Sequence, residues 1–262
     1  PLPLPFSMPK IAFFINPTIR NFKKIEIDIQ HHFLNQDYKF FISEYSGHFL
    51  TLPKRAVEEG FTHFIAVGGD GTLNEIVNGL IEAFRTENGY DWEKISQIKI
   101  GILPSGSGND FIKNLGYTTI DELQSLITKD SSALVDVGFA EFLNREKQKS
   151  ERFFINVSDV GIGGEVVISK ERLPLVFPGD VNYFIAILST FLMYKKKTIK
   201  VTAKDFTWQG KVLNYVVANA KYFGNAIGIA PHAEISDGEF AITNVGAISL
   251  LVDFKNIGRA KK

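Results

Sequence analysis

The chain has 262 residues, against a usual domain of roughly 150, so it holds one large domain or two modest ones. Its 45% hydrophobic and 22% charged residues are ordinary globular proportions, which excludes a disordered, collagen-like or low-complexity chain. Twenty-nine basic and twenty-nine acidic side chains cancel, which excludes the basic footprint of a nonspecific nucleic-acid binder, and the lack of cysteine excludes disulfides, thiolate zinc sites and a cysteine nucleophile. The 23 phenylalanines, against 8 tyrosines and 2 tryptophans, read either as a compositional bias or as provision for acyl chains.

Residues 1–9 read as a tail ahead of a start near Met8, because a proline-rich segment without a basic flank is no signal peptide. Residues 10–16 (KIAFFIN) are a short continuous apolar run, expected of a strand buried on both faces. A helix-compatible segment over about 20–35 leads to a second run at 38–43, and another over 49–59 leads to a third at 62–67. The loop Gly68-Gly69-Asp70-Gly71 then opens a helix predicted over 72–84, and a fourth run at 97–103 ends in the glycine loop 104–109. Strands alternating with helices imply a parallel sheet with crossover helices, so residues 1–130 read as an open α/β domain.

Past residue 131 the pattern changes. Segments 135–140, 152–157, 198–204, 212–219 and 239–245 are rich in β-branched and aromatic residues, and helices are expected only near 164–171 and 182–194. Trp208-Gln209-Gly210 reads as a hairpin turn. Residues 131–262 are therefore expected to form a mainly antiparallel β domain. Charge divides too, with 12 basic and 16 acidic side chains in the first part and 17 and 13 in the second. The longest apolar stretch, 183–194, has twelve residues, whereas a bilayer span needs about 20.

The chemistry is expected at the glycine loops. In open parallel sheets ligands bind at the carboxyl ends of the strands. Glycines let backbone approach a phosphate, and the N–H groups of a helix start bind anions. Thr72 is expected to cap its helix, with Glu75 completing a capping box. Asp70, an acid among phosphate-binding amides, makes sense beside Mg²⁺. The bland alternative is a tight turn with an exposed acid. In the second loop Asn109 and Asp110 lead into a short helix, where ordinary N-capping is the alternative. Asn16-Pro17 at the end of the first strand is a third candidate. None of these loops matches a P-loop or a dinucleotide-Rossmann fingerprint.

Gly68 to Asn74 (GGDGTLN) and residues 103–111 (LPSGSGNDF), 154–164 (FINVSDVGIGG), 219–231 (NAKYFGNAIGIAP) and 236–239 (SDGE) together resemble the diacylglycerol kinase catalytic-domain family, which includes bacterial lipid kinases and is related to sphingosine and ceramide kinases. The resemblance runs from about residue 11 to 258. It implies an NAD kinase- or phosphofructokinase-like nucleotide domain plus an antiparallel β-sandwich, with the active site in the cleft between. ATP would be bound by Asn16, Ser43, Gly68, Gly69, Asp70, Gly71, Thr72, Leu73, Asn74, Ser107, Asn109 and Asp110, and Asp70 would organise Mg²⁺ through the nucleotide. Asp237 matches the family's Asp-Gly acid and would be the general base toward a lipid hydroxyl, with Glu239 beside it. In a strand, both carboxylates would share a face. Without the family, Asp237-Gly238 reads as a plain hairpin turn.

The same resemblance implies a diacylglycerol or sphingoid-type lipid substrate and a cytoplasmic protein at the inner membrane face, and leaves a homodimer open; the balanced charge implies no nucleic acid. NAD kinases share GGDGT, so an NAD kinase-like phosphotransferase and a nonenzymatic lipid binder are the rival readings. Two departures stand out: residues 18–21 lack the family's glycine, leaving Arg20 as a substitute charge, and family members generally continue past the last residue here, so the second domain is expected to be cut short. No acid between 183 and 200 is assigned to the family's structural Mg²⁺. Lys195, Lys196 and Lys197 read as headgroup contacts or as ordinary helix C-terminal lysines, and Phe177-Pro178-Gly179 as a lipid entrance. The five histidines, His31, His32, His48, His63 and His232, lack metal spacing.

Overall fold

The computed structural model describes residues 9–106, 108–172, 190 and 193–246, with the backbone alone for 170–172. The chain divides into two compact units, residues 1–155 and 156–262.

In chain order the first unit contains β1 (Ile11–Ile15), α1 (Phe22–His32), β2 (Tyr38–Ile42), α2 (Leu52–Glu58), β3 (His63–Gly68) and α3 (Asp70–Ala83). Then come β4 (Arg85–Thr86), β5 (Gly89–Tyr90), α4 (Trp92–Gln97), β6 (Lys99–Pro104), α5 (Ile120–Thr128), β7 (Gly138–Leu143) and β8 (Lys149–Phe154), with 3-10 turns at His48–Leu50 and Phe111–Asn114. Four strands make one parallel sheet in the order β2-β1-β3-β6. All five residues of β1 are buried, as a central strand covered on both faces requires. Phenylalanine fills this core: Phe13, Phe14, Phe33, Phe41, Phe49, Phe61 and Phe64 are buried, and Phe14 lies 5.1–6.4 Å, ring to ring, from Phe41, Phe49 and Phe64. Such pairs add about 0.5–1.5 kcal/mol each beyond their burial, so packing accounts for much of the phenylalanine excess.

The first unit ends about 25 residues beyond the boundary at 130 read from the sequence, because the β7–β8 hairpin packs on α3. Asn78, buried on α3, donates through Nδ2 to the Phe153 carbonyl at 2.9 Å and accepts the Phe153 N–H at Oδ1 at 2.9 Å. A helix side chain thus stands in for a neighbouring strand. Trp92 and Tyr90 pack against the Phe153 ring, with centroids 6.0 and 5.2 Å away.

The second unit contains β9 (Val157–Gly161), α6 (Ile162–Arg172), β10 (Lys197–Ala203), β11 (Phe206–Val212), β12 (Asn214–Ala218), β13 (Tyr222–Phe223), β14 (Ile227–Gly228) and β15 (Ala241–Val245). β15, β12 and β9 form an antiparallel sheet and β10–β11 a separate hairpin. Val216, Ala218, Ala230 and Ala233 make a core under the three-stranded sheet. The hairpin turn is at Lys204-Asp205, not at 208–210. Trp208 and Gly210 are two residues apart on one face of β11, and a Cβ on Gly210 would stand 2.5 Å from the Trp208 ring. This glycine makes room for an indole, which also stacks on Tyr215 at 6.4 Å. Of the helix expected over 182–194 only 190, 193 and 194 are described, and Phe177, Pro178 and Gly179 lie outside the described residues. No helix among the described residues is long and apolar enough to cross a membrane.

Candidate active site

Parallel register brings the candidate loops to one edge of the first sheet. Ile15 pairs with Ile42 on one side and Val67 on the other, and Gly68 pairs with Pro104. Asn16, Ser43, Gly68 and residues 104–106 therefore follow the strand ends side by side. The two glycine loops touch through backbone: Ser105 N–H donates to the Gly68 carbonyl at 2.9 Å, and a Cβ on Gly106 would stand 2.5 Å from the Gly69 Cα. Only glycine permits that approach.

Helix α3 starts at Asp70, two residues earlier than the sequence suggested, with Gly69 extended at the N-cap and no side-chain cap. Thr72 is thus inside the first turn, and the capping box expected from Thr72 and Glu75 does not form. The first amides of a helix have no partner within it, so those of Asp70, Gly71 and Thr72 are left for a ligand. Gly71 is exposed, with nothing within 4 Å of a would-be Cβ. An open, uncapped start on a 14-residue helix suits a phosphate group. Leu73 differs from its neighbours: it is 2% exposed, and its N–H goes to the Gly69 carbonyl.

The second loop is held by its own side chains and by Asp70. Asn109, at φ 50°, accepts the Gly106 N–H at 3.1 Å and donates to the Gly106 carbonyl at 2.7 Å. Neither Asn109 nor Asp110 caps the following 3-10 turn. Asp70 does so from the other loop, accepting the Asp110 N–H at 2.9 Å and the Phe111 N–H at 2.8 Å, one on each oxygen. Lys113, which sequence reasoning overlooked, donates to the Gly108 and Asn109 carbonyls and to Asp110 Oδ1, each within 2.9 Å. Its position three residues after Asp110 on a helical turn was the available signal. Ser107 lies outside the described residues.

A Cβ on Gly108 would stand 3.2 Å from Asp70 Oδ2 and 3.5 Å from Asp110 Oδ2, so two carboxylates border one spot. Each carboxylate oxygen has a second lone pair, and Mg²⁺ is commonly held by one or two carboxylates plus phosphate oxygens. The donor set fits a magnesium nucleotide. Among the described residues no three His, Cys, Asp or Glu side chains gather as metal ligands. In the glycine-free first loop Asn16 Oδ1 accepts the Thr18 N–H at 3.0 Å and its hydroxyl at 2.7 Å. Ser43, almost buried, donates its N–H to the Ile15 carbonyl at 3.1 Å.

In the second unit Asp237 and Glu239 are exposed and precede β15, so strand alternation does not set their faces. Asp237 Oδ1 accepts the Glu239 N–H at 3.0 Å across Gly238, whose φ is 75°. This is a side-chain turn of the kind aspartate forms locally. Lys197 opens β10, 3.9 Å from Glu165.

The first unit is thus an open α/β unit in which Asp70, at an uncapped helix start, caps the turn after the second glycine loop, and an antiparallel β unit follows it. The family model for the diacylglycerol kinase catalytic domain matches residues 10–140, and that for the YegS C-terminal NAD kinase beta sandwich-like domain matches residues 157–258. The chain belongs to the diacylglycerol kinase catalytic-domain family, the one its five sequence blocks resemble. A diacylglycerol kinase of Staphylococcus carnosus (strain TM300) is 27% identical over 198 residues, 75% of this chain and 58% of that protein. A protein of Enterobacter sp. (strain 638) named "Probable lipid kinase YegS-like" is 28% identical over 186 residues, 71% of this chain and 56% of its own. The chain thus spans less than three-fifths of the length of these two relatives. The crystal structure of a diacylglycerol kinase from Bacillus anthracis str. Sterne shares the fold, with a TM-score of 0.64, 22% identity, and coverage of 97% of this chain and 78% of that one.

Proposed function

We propose that the chain is an ATP- and Mg²⁺-dependent lipid kinase that transfers the γ-phosphate to a lipid hydroxyl, with diacylglycerol as the acceptor. The observation that carries this reading is the uncapped first turn of α3 in backbone contact with the second glycine loop. The amides of Asp70, Gly71 and Thr72 hold phosphate oxygens, with Gly68 and Gly69 keeping side chains out of the way. Asn16, Ser43, Asn74, Ser107 and Asn109 complete the nucleotide contacts. Asp70 and Asp110 face the metal. When bound, the magnesium nucleotide supplies the phosphoryl group and neutralises the charge that develops on it. Asp237 takes the proton of the attacking hydroxyl, with Glu239 alongside.

Contact with the membrane surface, at its cytoplasmic face, is part of this reading. The β10–β11 hairpin and the residues just before it carry Lys195, Lys196, Lys197, Lys200, Lys204 and Lys211 against a single acid, Asp205. Phe206 is exposed beside them. Lysines with an aromatic are suited to an anionic lipid surface.

The test is incubation with labelled ATP, Mg²⁺ and a panel of diacylglycerol, a sphingoid base, ceramide and NAD. Label in diacylglycerol alone is expected. Label in NAD, or lipid binding with no label in any lipid, overturns the reading. Asp237→Asn keeps the acceptor for the Glu239 N–H and removes the base, so a loss of about 10²-fold or more in turnover with unchanged thermal stability is expected. Turnover at the unsubstituted level removes Asp237 from the chemistry and leaves it the role in the turn.

A further inference from the structure

Asp159 on β9 and Asn214 on β12 form a buried pair that the kinase reading does not use. Gly161 pairs with Asn214 and Asp159 with Val216. Residues two apart on a strand share a face, so Asp159 and Asn214 lie on the side that carries Val216 and Ala218, the core side. Asn214 is 3% exposed. Its side chain hydrogen-bonds the Asp159 carboxylate, which also accepts the N–H of Gly163 in the first turn of α6. Yet Asp159 Oδ2 and Asn214 Oδ1 are both buried without a hydrogen-bond partner. Two orphan acceptors in one hydrogen-bonded pair carry a full desolvation penalty that native structures rarely leave standing.

The backbone is shaped around this pair. A Cβ on Gly163 would overlap the Asp159 carboxylate, and one on Gly161, at φ 144°, would stand 2.6 Å from Asn214 Oδ1. Two of the three glycines in the run 161–164 are therefore needed where the pair sits.

We infer that Asp159 is a neutral carboxylic acid in the folded chain. Its Oδ2–H donates to Asn214 Oδ1 while Asn214 Nδ2 donates to Asp159 Oδ1, and this acid–amide ring fastens the start of α6 to the β9–β12 sheet. One added proton satisfies both orphan oxygens. Among the described residues no three acidic or histidine side chains gather here to hold a cation, which would also sit beside the positive end of a helix. Burial pushes the Asp159 carboxyl above the usual range, in the same direction. Among the described residues, Tyr194, its phenol pushed up mainly by burial, feels the charges of both Glu165 and Asp159, and Glu165 on α6 lies 3.9 Å from Lys197 on β10.

The consequence is a dependence on pH opposite to that of a salt-bridged aspartate. The folded chain holds a proton that the unfolded chain releases, so the pair's contribution is complete below the ordinary aspartate range. It is lost as pH rises through the raised value. Above that value an unshared charge is left between β9 and α6.

Asp159→Asn tests this, because an amide in place of the acid keeps both hydrogen bonds of the ring and cannot titrate. Urea unfolding of the whole chain and of D159N is compared from about pH 5 to about pH 9. The folding equilibrium constant of the unsubstituted chain is expected to fall relative to D159N by up to tenfold per pH unit between the ordinary aspartate range and the raised value, then to level off. A ratio that stays constant overturns the inference. Should D159N fail to fold, carbon-13 NMR of aspartate carboxyls in the unsubstituted chain decides. One carboxyl that titrates well above the others, and disappears in Asp159→Glu, supports the ring. Titration of every aspartate in the ordinary range overturns it.

Discussion

Asp70 is read from the sequence as a magnesium acid, and in the fold it is also the cap of a helical turn 40 residues away in sequence. The two jobs use different lone pairs of one carboxylate. Asp70→Asn keeps one acceptor but sets an amide against a backbone N–H, so it is expected to lower stability by about 1–3 kcal/mol as well as activity. Urea unfolding and label transfer measured on the same preparation check both effects. Gly106→Ala drives a methyl into Gly69 backbone at 2.5 Å. Its ATP affinity is expected to fall by more than about tenfold, ~1.4 kcal/mol, in equilibrium dialysis, and unchanged affinity removes the loop contact from nucleotide binding.

His63 carries another pH prediction. It is buried at the start of β3 with Nε2 unpartnered, and burial, aided by Lys99, holds its pKa below the usual histidine value. The unfolded chain takes up the proton first. Stability is therefore full above the ordinary histidine range and is lost as pH falls below about 6.5, by at most roughly 1.4 kcal/mol per pH unit. His63→Gln is expected to show a flatter profile in that window, and parallel profiles exclude this group as the cause.

At the scale of elements, α3 does three things with one surface pattern: its start is left open for a ligand, its apolar face fills the core, and Asn78 pairs with β8. Asn78→Ala strands the N–H and C=O of Phe153, and a loss of about 2–4 kcal/mol in urea unfolding is expected. A change below 0.5 kcal/mol shows that water replaces the amide. The parallel sheet was legible because β1 and residues 64–67 of β3 are unbroken apolar runs, a pattern set by burial on both faces. The convergence of the loops was legible because parallel strands bring their carboxyl ends to one edge of the sheet. Helix starts were harder: Thr-x-x-Glu matches a capping box wherever it falls, and only the extended Gly69 shows that the helix has already begun. Gly210 was misread as a turn because glycine marks turns and close packing alike; the neighbouring Trp208 decides between them. The trans cap by Asp70 and the Asp159–Asn214 pair had no sequence signal, since each joins residues at least 40 apart in the chain.

For the whole molecule, net neutrality conceals an acidic first part and a basic second part. If the lysines of β10–β11 meet lipid, association with phosphatidylglycerol vesicles weakens as salt rises, because the screening length shortens from about 10 Å at 0.1 M to about 3 Å at 1 M. Lys200, Lys204 and Lys211 changed together to glutamine are expected to weaken vesicle sedimentation by about a hundredfold, at roughly 1 kcal/mol each. Salt-independent sedimentation, or an unchanged triple variant, rules this surface out.

The chain's two tryptophans fall one to each compact unit: Trp92 against Tyr90 and Phe153, Trp208 over Gly210 and against Tyr215. Nature has thereby placed a separate optical reporter in each half. With Trp92→Phe the remaining emission follows only the β unit, and with Trp208→Phe only the α/β unit. Coincident midpoints in the two variants mark one cooperative transition, and separated midpoints mark two. Emission during a nucleotide titration then shows which half responds to the ligand, before any product is formed.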